Sequence, residues 1–166
     1  MTMVSRVNMI YSAVCIAFVV AAGVALLWQS FRRSQVLKDI DIDQMIGSRV
    51  SVSGVDFSRA KKTVVLGMST KCPFCSISAP FMRHAVDTAH QHNDTVIAVF
   101  PQPVSEGRSF TSEKGLAVDQ VISSPIGVSG IRIVPYILII DSSGILLGGG
   151  SNLGTQSMQD RILGQI

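Results

Sequence analysis

The stretch that most constrains this chain is "TVVLGMSTKCPFCSISAP", residues 63–80, where an apolar run gives way within a few residues to two cysteines and a helical pattern. The segment 63–69 is β-branched and almost continuously apolar, which fits a strand covered on both faces. From Pro73 to about Gln91 the apolar residues Ile77, Phe81, Ala85 and Ala89 recur at steps of four, with Phe74, Met82 and Val86 broadening the stripe. Ser76, Arg83, Asp87 and Gln91 fall on the other side, so the segment reads as a helix packed on that strand. A second buried strand, "TVIAVFP" at 95–101, then completes a right-handed βαβ unit. A chain that opens its core this way is committed to an α/β sandwich.

The remaining segments fit that architecture. Residues 102–118 are polar and carry glycine, as a loop with one short helix would. "PYILIID" and "GILLGGG" meet at Asp141-Ser142-Ser143-Gly144, which predicts an antiparallel hairpin. "TQSMQDRILGQI" is readable as a last helix, and "RVSVSGVDF" as a short hairpin around Ser53-Gly54. The expected folded domain spans residues 45–166.

The cysteine pair carries the chemistry. If Cys72 ends the strand-to-helix turn, Pro73 takes the first helical position, where its missing N–H costs nothing. Cys75 then lies one turn on, on the same face, within the roughly 4.4–6.8 Å Cα separation that a disulfide needs. The helix N-terminus and the charge of Lys71 both favour a thiolate at Cys72, which makes Cys72 the attacking sulfur and Cys75 the resolving one. A zinc site is disfavoured: the chain has no second C-x-x-C, and His84, nine residues past Cys75, projects from the opposite face about 13 Å along the helix axis. His90 and His92, near the helix end, read as surface histidines. The expected site therefore holds no metal and no cofactor beyond the Cys72–Cys75 disulfide itself.

Hydrophobic residues make up 47% of the 166, and the surplus sits in "MIYSAVCIAFVVAAGVALLW", residues 9–28, twenty residues without a charge. As a helix this run would cover the roughly 30 Å hydrocarbon core, so it reads as a transmembrane anchor behind a short flank, 1–8, and ahead of a polar linker, 29–44. It is longer than the core of a cleaved signal peptide and ends in no convincing cleavage site. Cys15 lies inside the run, which argues against a lipid-modified cysteine. Arg6, Arg32, Arg33 and Lys38 flank the span; residues 39–166 then hold ten Lys/Arg against eleven Asp/Glu, a net of −1, with no basic footprint for nucleic acid. Only Cys72 and Cys75 lie beyond the span, so a disulfide scaffold is excluded.

At this point the chain resembles the thioredoxin superfamily, and within it the membrane-anchored TlpA-like or redoxin branch. The resemblance runs over roughly residues 45–150. It rests on the strand followed by "CPFC", on Pro80 five residues after Cys75, on "GIRIVPYILIIDSSGIL", and on the 63 residues between Cys72 and Pro135, longer than in plain thioredoxin. It implies a thioredoxin-like fold, a central mixed sheet flanked by helices, and thiol-disulfide oxidoreductase activity. It also implies that Pro135 is a cis-proline facing the disulfide, with the backbone of Val134 held extended to pair with a substrate strand across Cys72. Lys71, where thioredoxin has tryptophan, and Phe74, in the shifted dipeptide, become substrate-facing. No evident buried acid serves as proton relay; Asp56 and Glu106 are candidates by position.

The implied partners are protein thiol or disulfide clients and a membrane or periplasmic electron donor, with the chain more readily a reductant than an oxidant. The rival readings are a redoxin-type thiol peroxidase and a non-catalytic copper-binding module using Cys72 and Cys75. The peroxidase pattern is poorly matched, since Val65 and Ser69 stand where a proline and a threonine are needed. Topology carries an internal conflict. Arg32, Arg33 and Lys38 after the span would keep the domain inside by the positive-inside rule, whereas the resemblance implies a single-pass inner-membrane protein with its domain on the periplasmic side.

Overall fold

The computed structural model describes residues 42–166 except Ile126, Arg132 and Asn152, together with the lone helical Gly23. The expected anchor at 9–28, apart from Gly23, the flank 1–8 and most of the linker lie outside the described residues. Among the described residues no helix is long and apolar enough to cross a membrane.

The described residues from Ile42 onward form one compact unit. Helix α1 (Ile42–Met45) and a 3-10 turn (Phe57–Arg59) precede β1 (Lys62–Gly67), α2 (Pro73–Gln91), β2 (Thr95–Phe100), α3 (Val104–Glu113) and β3 (Gln120–Ser123). Then follow β4 (Tyr136–Asp141), β5 (Leu146–Gly150) and α4 (Gln156–Leu163). The five strands form one sheet in the order β3-β2-β1-β4-β5. β1, β2 and β3 are parallel, while β4 runs antiparallel to both β1 and β5, so the sheet is mixed.

Strand alternation splits the buried side chains into two cores. Val64 and Leu66 of β1, Val96, Ala98 and Phe100 of β2, and Ile137 and Ile139 of β4 face α2 and α4. Val65, Ile97, Val99, Leu138 and Ile140 face the other way, under the segment 42–57 and the loop before β4. Both faces are covered, which is why β1 and β4 read as unbroken apolar runs. Val134 packs against both cores.

The β4–β5 turn forms as the sequence predicts. Asp141 Oδ1 accepts the amides of Ser143 at 2.8 Å and Ile145 at 2.9 Å, and Gly144 takes φ +79, a left-handed value suited to glycine.

Three expectations are corrected. The linker, expected to run to residue 44, has already become structure at Ile42, whose side chain is buried in the second core. The hairpin expected around Ser53-Gly54 does not form: the Val50 amide instead donates to Gly144 O at 2.7 Å, and Arg49 bridges to Ile145, so the start of the segment pairs with the turn that leads into β5. Phe74 and Ile77, read as part of the buried helix stripe, are 67% and 72% exposed because the stripe that meets the core runs through Cys75, Ala79, Met82 and Val86, and both side chains fall off it.

Candidate active site

The site is built where β1 ends. Met68 still bonds the sheet through Val99 O, and the chain then turns, with the Cys72 amide donating to Ser69 O at 3.2 Å. Cys72 is the N-cap of α2, with φ −96 and ψ 115, and Pro73 occupies the first helical turn. That placement leaves the Cys72 sulfur half-exposed at a helix N-terminus, where unpaired peptide N–H groups gather. The Cys75 amide donates to Cys72 O at 3.1 Å, closing the first turn between the two cysteines. No disulfide joins them; both are thiols here.

The two sulfurs occupy different surroundings. Cys75 is fully buried in the α2-side core, and its Sγ accepts the Ser69 amide at 3.4 Å. Burial pushes its thiol up from the ordinary 9.0 to about 12; the Ser69 amide pulls the other way, and the neighbouring Cys72 adds to the rise. The Cys72 thiol donates to the carbonyl of Val134 at 3.6 Å. The Val134–Pro135 peptide is cis, and Pro135 is itself buried. The structure thus brings Cys72, Cys75, Val134 and Pro135 together, with Lys71 and Phe74 exposed beside them.

A polar clasp that the sequence did not announce holds the cysteine loop. Gln102, just after β2, donates from Nε2 to Ser69 Oγ at 2.9 Å and accepts the Thr70 amide on Oε1 at 3.3 Å. Ser69 Oγ also accepts the Lys71 amide at 3.3 Å. The turn leading into Cys72 is therefore pinned to the end of the neighbouring strand. Its only sequence signal is a glutamine following the apolar run "TVIAVF".

Neither proposed relay carboxylate reaches the cysteines. Asp56 caps the 3-10 turn, accepting Ser58 Oγ at 2.7 Å and pairing with Arg59 at 3.3 Å, and lies with Thr63 and Thr95 at the opposite end of β1 from Cys72. Glu106 is exposed on the first turn of α3. His84 and His92 are exposed, and His90 meets Asp119 at 3.2 Å. Among the described residues no three His, Cys, Asp or Glu side chains group to hold a metal ion.

No protein-family profile matches the chain, and no curated protein matches it in sequence. Solved structures do match. A candidate protein disulfide isomerase from Bacteroides thetaiotaomicron has a TM-score of 0.52 at 14% identity, over 63% of this chain and 70% of its own. The thioredoxin domain of a thiol-disulfide oxidoreductase from Bacteroides vulgatus has 0.50 at 14% identity, over 63% and 79%. A mutant of peroxiredoxin Q from Xanthomonas campestris has 0.50 at 11% identity, over 63% and 77%. At such identities the likeness speaks for architecture alone: the domain has the thioredoxin-like fold.

Proposed function

We propose that this chain is a thiol-disulfide oxidoreductase, tethered to the inner membrane through residues 9–28, that exchanges its Cys72–Cys75 pair with protein thiols on the periplasmic side, more readily as a reductant. The observation that carries the reading is the asymmetry of the pair: Cys72 half-exposed at a helix N-cap beside Val134, Cys75 sealed beneath it as a thiol.

The reaction follows from that asymmetry. The Cys72 thiolate attacks one sulfur of a client disulfide; the client's S–S bond breaks, its other sulfur leaves and takes a proton, and a mixed disulfide with Cys72 forms. Cys75 then gives up its proton and attacks Cys72 Sγ, releasing the client's second thiol and leaving Cys72–Cys75 oxidised. Two electrons pass to the client, and a membrane or periplasmic dithiol donor restores the pair. Because burial disfavours the Cys75 thiolate, its attack is confined to the moment a mixed disulfide lies within reach. The backbone of Val134, whose carbonyl lies 3.6 Å from the Cys72 sulfur, is where a client strand pairs across Cys72.

The test is a pair of variants. Cys72→Ser abolishes reduction of a protein disulfide, whereas Cys75→Ser accumulates mixed disulfides with clients; equal residual turnover in both would overturn the roles. Peroxide consumption without disulfide reduction would favour the thiol-peroxidase reading. Stoichiometric Cu(I) binding without turnover would favour the metal-binding one.

A further inference from the structure

Two influences act on the Cys72 sulfur, and they oppose each other. The start of α2 gathers peptide N–H groups that favour a thiolate there. The carbonyl of Val134, 3.6 Å away, favours the thiol, which donates to it, over a thiolate, which its oxygen repels. Among the described residues Cys72 is the only donor to that carbonyl, and the Val134 amide donates to nothing. Pro135 follows with no N–H of its own. Val134, which belongs to no strand, therefore holds a backbone donor and acceptor open beside the reactive sulfur.

A client strand that pairs there changes the balance. Its N–H bonds to the Val134 oxygen and sets a partial positive charge close to Cys72 Sγ, where it favours the anion. The carbonyl has a second lone pair on which the thiol can remain, and the sign is the same in that case: an oxygen already bonded to an N–H accepts S–H less well and repels a thiolate less. The helix N-terminus is then left without its opponent.

We propose that the client activates its own attacker: a client backbone N–H, by occupying the Val134 carbonyl, releases Cys72 from the thiol form, so that the thiolate gathers where a strand is already aligned. The proposal rests on the oxidoreductase reading above and names what the chain selects, disulfides set in extended polypeptide over small disulfides that carry no backbone amide. By reciprocity the thiolate holds the client more tightly than the thiol does, by the same factor as the client favours the thiolate. Among the described residues the titratable groups beside Cys72 are Lys71 and Cys75 at the helix start and Tyr136 beyond Pro135; the end of β2 brings the uncharged Gln102 to the cysteine loop. These are the same whatever substrate is bound, so a difference between two substrates belongs to the substrate's amide.

The experiment uses the full chain carrying Cys15→Ala and Cys75→Ser, which leaves Cys72 as its one thiol and stops the reaction at the mixed disulfide. The substrates are peptides whose single cysteine is capped by thionitrobenzoate. The Cys72 proton goes to solvent, the thiolate attacks the peptide sulfur, the S–S bond to the cap breaks, and thionitrobenzoate leaves as a coloured anion. Followed against pH, the rate at saturating peptide reports Cys72 ionisation with the client in place, and the rate at low peptide reports it in the free chain. The saturating profile has its midpoint about half a unit or more below the other, which is about a threefold or larger gain in thiolate on the acid side. An ester replacing one peptide amide, moved in turn through the two positions on either side of the cysteine, abolishes that displacement at one position and leaves it at the others. Thionitrobenzoate-capped mercaptoethanol, which has no amide, reproduces the free-chain profile. The protein is identical in every arm, so a folding defect cannot imitate the result. Coincident midpoints for the all-amide peptide, or a displacement that survives every ester, would overturn the coupling while leaving the oxidoreductase reading intact. No release of thionitrobenzoate from any substrate would overturn both.

Discussion

Cys75 makes the sharpest prediction, because its seclusion converts into a rate. Alkylation by iodoacetamide follows the thiolate, and moving the thiol from 9.0 to about 12 lowers the thiolate fraction about tenfold for each unit. At about pH 8 that leaves roughly 1 thiolate in 10⁴ at Cys75, against about 1 in 10 for the same cysteine in an unfolded chain. Native Cys75 should therefore be labelled at least about 10³-fold more slowly than in concentrated urea, with its complete burial adding to the factor. The assay is a short pulse on the reduced chain, quenching, digestion and tandem mass spectrometry; Cys72 and Cys75 share one tryptic peptide, so fragment ions assign the site. The pH profile separates ionisation from simple blockage: the native Cys75 rate should keep climbing about tenfold per pH unit beyond about pH 9, where the unfolded cysteine levels off. Burial is the leading cause and Cys72 a lesser one, so Cys72→Ser should leave most of the retardation in place. A retardation of tenfold or less, or a native profile that levels off near pH 9, would refute the argument.

Other perturbations follow from the same geometry. Gly67→Ala drives a methyl into the Tyr136 ring and should cost about 1–3 kcal/mol in urea unfolding; an unchanged midpoint would show that the ring moves freely. Gln102→Leu removes both bonds of the clasp, and should cost about 1–3 kcal/mol while speeding Cys75 alkylation; unaltered labelling would mean the loop holds without it. Cys75 and Tyr136 both titrate higher in the fold than in the unfolded chain, whose values are near 9.0 and 10.0, and both reach about 12. Their contribution to stability is thus fully present below about pH 9 and is lost as pH rises toward about 12, so reduced chain should unfold at progressively lower urea there, less steeply in Cys75→Ser and Tyr136→Phe. Lys62 Nζ donates to the carbonyls of Gln165 at 2.8 Å and Ile166 at 2.9 Å, and Lys62→Met should speed amide exchange in α4 ahead of the sheet.

Sequence patterning worked where one influence dominated. The helix from Pro73 to Gln91 has a proline start and a four-residue apolar recurrence, and its limits were readable to the residue. The β4–β5 hairpin was equally plain, since Asp141 and Gly144 fix the turn. Strand β3 escaped notice because its four residues lie at the sheet's edge and only Ile122 is fully buried. Residues 49–55 alternate like a hairpin, but Arg49 and Val50 pair instead with Ile145 and Gly144 at the β4–β5 turn, and the Ser51 amide turns to Ser129 Oγ. At the site, the cysteines and the Val-Pro pair stand out as residues, whereas the Ser69–Gln102 clasp joins side chains 33 positions apart and leaves no periodic trace. Asp56 was a relay candidate by position, and its carboxylate is already used at home by Ser58 and Arg59.

Val134 gives the molecule a particular vulnerability. Its side chain touches the hydrophobic interior on either side of the sheet, and its carbonyl stands over the reactive sulfur. Loosening of either interior, however remote, is therefore transmitted to the spot where a client must align. Heating or mutation should blunt catalysis while the bulk of the protein still holds its shape, so that turnover serves as an early gauge of damage anywhere in the domain.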